Sequence, residues 1–279
     1  MFKKKTNGGW EIPEVPLNKT KLNLELVTFL VLTFVFSSFI WFKWISAKEI
    51  SQLQGLIYVL ALMWCPGIAA LITRLVYHRN LKGLGWKWGK TKYQVLSFLL
   101  PVLYALPVYL VVIALRLGAL NSEFSRNWIP FLAFNIFFGL LAALGEEIGW
   151  RGFLTQHLFN RIGFTGASLV TGLIWAVWHY PLIIFSDYNQ GAPIVFSLVC
   201  FTIMVVGISF PMAWLRIKTG SVWTAMFVHA MHNFFIQDVF DPLTLNTGIT
   251  HYLIGEFGAG LALAASICAL IFWKKKKNI

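Results

Sequence analysis

The chain has 279 residues, 58% of them hydrophobic and only 12% charged, whereas an average soluble domain is about a quarter charged. That deficit, with apolar runs of about 20 residues recurring along the whole length, excludes a soluble domain on a single anchor and predicts one all-α polytopic membrane domain. The net charge of +12 does not mark a nucleic-acid binder, because the positive residues sit at the ends of apolar segments: "KKK" at 3–5, the stretch 74–92, and "KKKK" at 274–277. Such placement is that of topology signals in contact with the anionic headgroups of a lipid bilayer.

Eight helices are predicted in chain order, at 25–46, 53–74, 95–118, 128–150, 165–186, 193–215, 220–240 and 251–273. The first 25 residues are polar and contain prolines, so they do not make a cleavable signal peptide and the first apolar segment stays as a span. The chain then divides into a cytoplasmic segment 1–24, a membrane domain 25–273 with its polar motifs in 128–240, and a basic tail 274–279. Lys3, Lys4, Lys5, Lys19 and Lys21 precede the first helix, and Arg79, Lys82, Lys87, Lys90 and Lys92 follow the second. Arg161, and then Arg216 with Lys218, follow the fourth and sixth. The alternate loops hold Glu49, Glu123, Asp187, Asp238 and Asp241. Positive-inside reasoning puts both termini in the cytoplasm, which an even number of spans satisfies. Cys65, Cys200 and Cys268 each lie inside an apolar run with no CxxC spacing; they read as small buried hydrophobes.

Ionisable groups within a bilayer cost about 3 kcal/mol or more each and mark functional candidates. Helix four carries Glu146, Glu147 and Arg151; helix five carries His179; helix seven carries His229, His232 and Asn233. His78, His157 and His251 sit at or near loops and read as interfacial. If helix four stopped at Trp150, Glu146 would lie at the cytoplasmic edge, far from His179. The apolar spacing of Phe153, Leu154, Leu158 and Phe159 instead extends it to about residue 160, as a very long, tilted or broken helix. Glu146, His179 and Asn233 then each lie about 14 residues, or about 21 Å, from the inner ends of their helices, with His229 one turn shallower. Glu147 and Arg151 are four apart and predict a salt bridge, which leaves Glu146 about 100° away, facing a cavity. His229 and Asn233, also four apart, present an imidazole and an amide to one point.

A free carboxylate in an apolar site can act as general base. A histidine opposite it can share the task of holding and deprotonating a water. A second histidine and an amide can donate to a developing oxyanion. Together these describe amide-bond hydrolysis by direct attack of water. Four alternatives use overlapping residues. One is a buried structural network. Another is a zinc site of Glu146, His179 and His229 with water as fourth ligand, although no HExxH is present. A proton-linked transporter would more often show repeated halves. A serine or aspartyl intramembrane protease lacks its signature here: "GASL" and "GISF" have no second flanking glycine, and the aspartates read as loop residues.

Three motifs resemble the CPBP (CAAX protease and bacteriocin-processing, or ABI) intramembrane proteases, which are related to the CAAX prenyl endopeptidases of the Ras-converting type. They are EExxxR as "EEIGWR" at 146–151, FxxxH as "WAVWH" at 175–179, and HxxxN as "HAMHN" at 229–233. The run "RIKTGSVWTAMFVHAMHN" and "PGIAALITR" at 66–74 extend the likeness over roughly 55–240. The resemblance implies about eight transmembrane helices around a conical active-site cavity. It implies that Glu146 and His179 activate the water, that His229 and Asn233 stabilise the oxyanion, and that Glu147 and Arg151 support them. Its proteins have been described both as metal-dependent and as metal-free glutamate enzymes; two His, one Asn and one Glu lean toward the metal-free form. Trp175 stands where phenylalanine is usual, a bulky aromatic swap on a wall position with no expected loss of activity. The implied substrate is a membrane-associated peptide or protein, and the implied location a bacterial cytoplasmic membrane. A non-catalytic immunity or binding protein of the same fold is the competing reading.

Overall fold

The computed structural model describes residues 19–122, 129–186, 188 and 191–279. Lys3, Lys4 and Lys5, and the loop acids Glu123 and Asp187, lie outside the described residues, as does most of the expected segment 1–24.

The fold is all-α, as the apolar pattern predicts. Its helices are α1 (Lys19–Ser46), α2 (Gln52–His78), α3 (Thr91–Ala114), α4 (Ile129–Glu147), α5 (Thr155–Phe185), α6 (Ile194–Thr219), α7 (Val222–Asn233) and α8 (Ala259–Lys274). A two-stranded antiparallel patch, β1 (Ala119–Leu120) on β2 (Thr244–Leu245), is the described sheet. Among the described residues five stretches are long and apolar enough to cross a membrane: Asn23–Ser46, Gln52–His78, Thr91–Ala114, Leu132–Phe185 and Ile194–Thr219. Helices α7 and α8, at 12 and 16 residues, are shorter than a usual span. The eighth helix starts at Ala259 rather than near 251, because Gly255 and Gly258 break the run and residues 250–252 form a 3₁₀ turn.

Leu132–Phe185 carries the long helix that the depth argument requires. It does not end at Trp150. Helix α4 passes into a π-helical segment, Ile148–Leu154, where Thr155 N–H bonds Trp150 C=O. From there it continues as α5 until Gly163, whose φ of 68° and ψ of −176° break the rod. The left-handed φ is one that glycine adopts without steric cost. Helix α7 likewise runs into a π-helical segment, Phe234–Phe240. Such π segments occur mostly at functional sites, where the extra residue re-aims side chains.

Small residues let α2 sit against the start of this π segment. A Cβ on Gly149 would lie 2.5 Å from Pro66 Cβ and 2.7 Å from Pro66 carbonyl carbon, and one on Gly145 would lie 2.7 Å from the Trp64 ring. The Pro66–Gly67 step of α2 thus packs directly on the backbone of "GEEIG". Helix α2 starts with a capping box, Ser51 and Gln54 each bonding the other's backbone N–H, which satisfies two otherwise orphaned donors. Helix α1 covers the other side: Phe29 packs edge-on to Trp150 and against Phe153, and Ser37 Oγ accepts Trp178 Nε1–H at 2.7 Å.

His78 and His157 are not merely interfacial. Both clasp the buried carboxylate of Glu25 in α1, His78 Nε2 at 2.8 Å and His157 Nε2 at 3.0 Å. The glutamate, which periodicity alone hides in the first helix, ties α1 to α2 and α5. His251 does lie in a turn, bonded to Asn246. Asp238 belongs to the second π segment, and Asp241, just beyond it, accepts the Tyr109 hydroxyl at 2.5 Å; neither is a plain loop acid.

The glycine contact yields a stability prediction. Gly149→Ala forces a methyl into the Pro66 backbone, which cannot retreat as a side-chain tip would. Overpacking of this kind costs about 1–3 kcal/mol. We expect a lower melting temperature in detergent for Gly149→Ala and no change for Gly139→Ala, where a Cβ meets nothing within 4 Å.

Candidate active site

The four residues expected to meet do so around one cavity, lined by Glu146, His179, His229 and Asn233. The wall is supplied by the end of α4, the C-terminal half of α5, the middle of α6 and the end of α7, with Trp44 of α1 and Val59, Leu62 and Met63 of α2.

Glu147 and Arg151 form the predicted i,i+4 ion pair, Nη1 to Oε1 at 2.9 Å, with both side chains fully buried. The pair reaches further than helix spacing suggests. Arg151 Nη2 donates to Ser209 Oγ of α6 at 2.9 Å, and its guanidinium lies 4.1 Å from the Trp175 ring centre. Glu147 Oε1 also accepts from His229 Nδ1 at 2.9 Å. Glu147 therefore orients a histidine as well as neutralising an arginine, and leaves the far ring nitrogen of His229 for the cavity.

Glu146 is buried but not bare. Its Oε2 accepts the indole N–H of Trp150 at 3.1 Å and that of Trp175 at 2.6 Å. Two indoles replace water around one oxygen, and Oε1 is left for the cavity. Trp175 is thus more than a bulky wall residue: it bonds Glu146, covers Arg151 and meets the His229 ring edge-on at 5.1 Å. His179 donates Nδ1–H to the Trp175 carbonyl at 2.9 Å. A carbonyl only accepts, so neutral His179 presents a lone pair at Nε2.

Sequence reasoning missed a second polar wall. His232, Gln237, Tyr188 and Glu256 line the same cavity. Their only signal in sequence is a histidine and an acid in apolar surroundings, and Glu256 fell inside a segment expected to be helical. Among the described residues no three of His, Cys, Asp and Glu are grouped so as to hold a metal ion.

A carboxylate, two histidines and an amide thus line one cavity within the bundle of long apolar helices of a multi-pass membrane protein. Comparison with known proteins agrees. Residues 127–235, which contain all three motifs, match the family model described as Type II CAAX prenyl endopeptidase Rce1-like. A curated relative, CAAX prenyl protease 2 of Methanococcus maripaludis, is 40% identical over 68 residues, a stretch that covers 24% of this chain and 24% of the relative. The match thus spans about a quarter of that protein's length. The resemblance read from the motifs is borne out over residues 127–235, the segment that matches the Rce1-like family model.

Two stability outcomes follow from these bonds. Arg151→Met leaves Glu147 buried without its cation, and breaking a buried pair costs about 3–5 kcal/mol. Adding Glu147→Gln is expected to recover part of that loss, so the double variant melts higher than Arg151→Met alone. Trp175→Phe deletes one N–H from a buried carboxylate, a bond worth about 1.5–3 kcal/mol. Its melting temperature is expected to fall, even though phenylalanine fits the wall sterically.

Proposed function

We propose that this chain is an intramembrane endopeptidase that hydrolyses a peptide bond of a membrane-associated peptide or protein. The observation that carries the reading is the convergence of Glu146, His179, His229 and Asn233 on one cavity. In this reading Glu146 Oε1 and His179 Nε2 hold a water between two acceptors and take its proton as it attacks the scissile carbonyl. The oxyanion that forms is met by His229 and the Asn233 amide. Because His229 Nδ1 donates to Glu147, its Nε2 can donate as well only as an imidazolium. The formal charges then close: Glu146 and Glu147 against Arg151 and His229. The proton taken from water passes to the leaving amine, so acid and amine products leave the site in its starting state.

The family description and the relative's name make prenylated CAAX peptides the first substrates to try. The reading places the protein in a cell membrane with both termini cytoplasmic, in line with the lysine run 274–277 that begins at the end of α8. No step requires a metal ion, a nucleic acid or a nucleophilic serine or cysteine.

Glu146→Gln is the decisive change. It keeps the shape and one acceptor for the indoles but removes the base. General base catalysis contributes about 10²–10⁴-fold, so cleavage of a quenched-fluorescent prenylated CAAX peptide in micelles is expected to fall by at least about 100-fold. The melting temperature should stay within a few degrees of wild type. Comparative membrane proteomics of cells carrying wild type or Glu146→Gln should show peptides that lose a terminus only with wild type. Biological activity that survives Glu146→Gln at normal expression would remove hydrolysis as the function and leave a binding or immunity role.

A further inference from the structure

Beside the four residues of the proposed reaction lies a chain of four side chains that the reaction does not use. Glu256, on the turn leading into α8, is only 5% exposed. Its Oε2 accepts the Tyr188 hydroxyl at 2.9 Å, and its Oε1 lies 3.2 Å from His232 Nε2. His232 Nδ1 in turn meets the Tyr104 hydroxyl of α3.

With His232 neutral, these contacts locate every proton. A carboxylate only accepts, so Tyr188 donates its hydroxyl and His232 donates from Nε2. A neutral imidazole protonated at Nε2 accepts at Nδ1, which makes Tyr104 the donor there. The chain Tyr104–His232–Glu256–Tyr188 is satisfied with a neutral histidine and one negative charge. It has no spare proton to give, and both carboxylate oxygens are already bonded. A general acid or a free cation subsite is therefore a poor description of it.

Its two ends explain it better. Tyr188 lays its ring parallel to the His179 ring, 18° between planes and 6.4 Å between centres. His232 is the chain neighbour of Asn233. One carboxylate thus fixes something beside the water-activating histidine and something beside the oxyanion amide. Glu256 is also the contribution of the α8 end of the bundle, which lies outside residues 127–235 matched to the family model.

We propose that Glu256 is a positioning residue of the site: it sets the tautomer of His232 and holds Tyr188 against His179, so that the two working walls keep their spacing. The inference rests on the peptidase reading above.

The test uses full-length protein in detergent, with two readouts. The first is turnover of the prenylated CAAX peptide by wild type, Glu256→Ala, Glu256→Gln, Tyr188→Phe and the Glu256→Ala/Tyr188→Phe pair. Misplacement by about 1 Å costs up to about 100-fold in rate, so Glu256→Ala is expected to lower kcat by about 10- to 100-fold with KM within about twofold. Tyr188→Phe should add little on the Glu256→Ala background, because its hydroxyl acts through Glu256. Glu256→Gln, which still offers an oxygen, should recover most of kcat. A Glu256→Ala protein with wild-type kcat, or Tyr188→Phe losses that simply multiply, overturns the proposal. The second readout needs no turnover: ¹⁵N-histidine spectra, assigned with His179→Asn and His232→Asn proteins. Wild type should show His232 protonated at Nε2, and Glu256→Ala should move both the His232 and the His179 resonances. If wild type cleaves no peptide, the peptidase reading fails by itself; unmoved His232 and His179 resonances then overturn the positioning role separately.

Discussion

The arginine buried at position 151 is the constraint on which the rest of the site depends. A guanidinium with no exposed surface cannot be left without acceptors, since a buried charge costs several kcal/mol before it is paired. Its partners come from three places in the chain: Glu147 one turn back, Ser209 in α6, and the face of Trp175 in α5. Glu147 then passes the constraint on to His229 in α7. Four helical segments are thus placed around one charge. Exchanging any one of these partners alters the electrostatic environment of the others, so the motifs that look separate along the chain form one polar unit in space.

A charge of this kind can be buried only if the backbone around it is tightly packed and excludes lipid and water. The Pro66–Gly67 step of α2, pressed on Gly145 and Gly149, does this on one side, and the Phe29, Trp150 and Phe153 rings do it on another. The π segment after Glu147 belongs to the same solution. An extra residue in the turn alters the helical phase between Glu146 and the rest of the rod. Glu146 can then face the cavity while Phe153 and Leu154 stay in the core. The second π segment, after Asn233, repeats the device where α7 leaves the site.

Much of this was legible in the sequence, for identifiable reasons. Depth in a membrane is a one-dimensional quantity, so counting residues from helix ends was enough to bring Glu146, His179 and Asn233 to one level and to carry the fourth helix past Trp150. The Glu147–Arg151 pair follows from helical period alone. What period cannot supply is the bond between helices. The Glu147–His229 contact, the indole of Trp175 on Glu146, and the clasp of Glu25 by His78 and His157 each join residues 29 or more apart. Trp175 was read for its bulk, because the substitution of one aromatic for another conceals the N–H it gains. Glu256 was hidden for a different reason: an apolar run of the right length suggested a helix where two glycines make a turn.

The cavity holds two glutamate–histidine pairs, and their difference matters more than their likeness. Glu147 holds His229 and Glu146 lies on the same cavity, so two carboxylates balance Arg151 and a histidine that carries a proton on each nitrogen. Glu256 holds His232 between two tyrosines, with no cation among those bonds, and the histidine is satisfied as a neutral ring. The first arrangement can present a donor to developing negative charge; the second fixes geometry without offering a proton. The proposed hydrolysis, which moves one proton from water to amine, gains from this separation. A second histidine free to change protonation beside Asn233 would compete for that proton, whereas one locked in a single tautomer cannot.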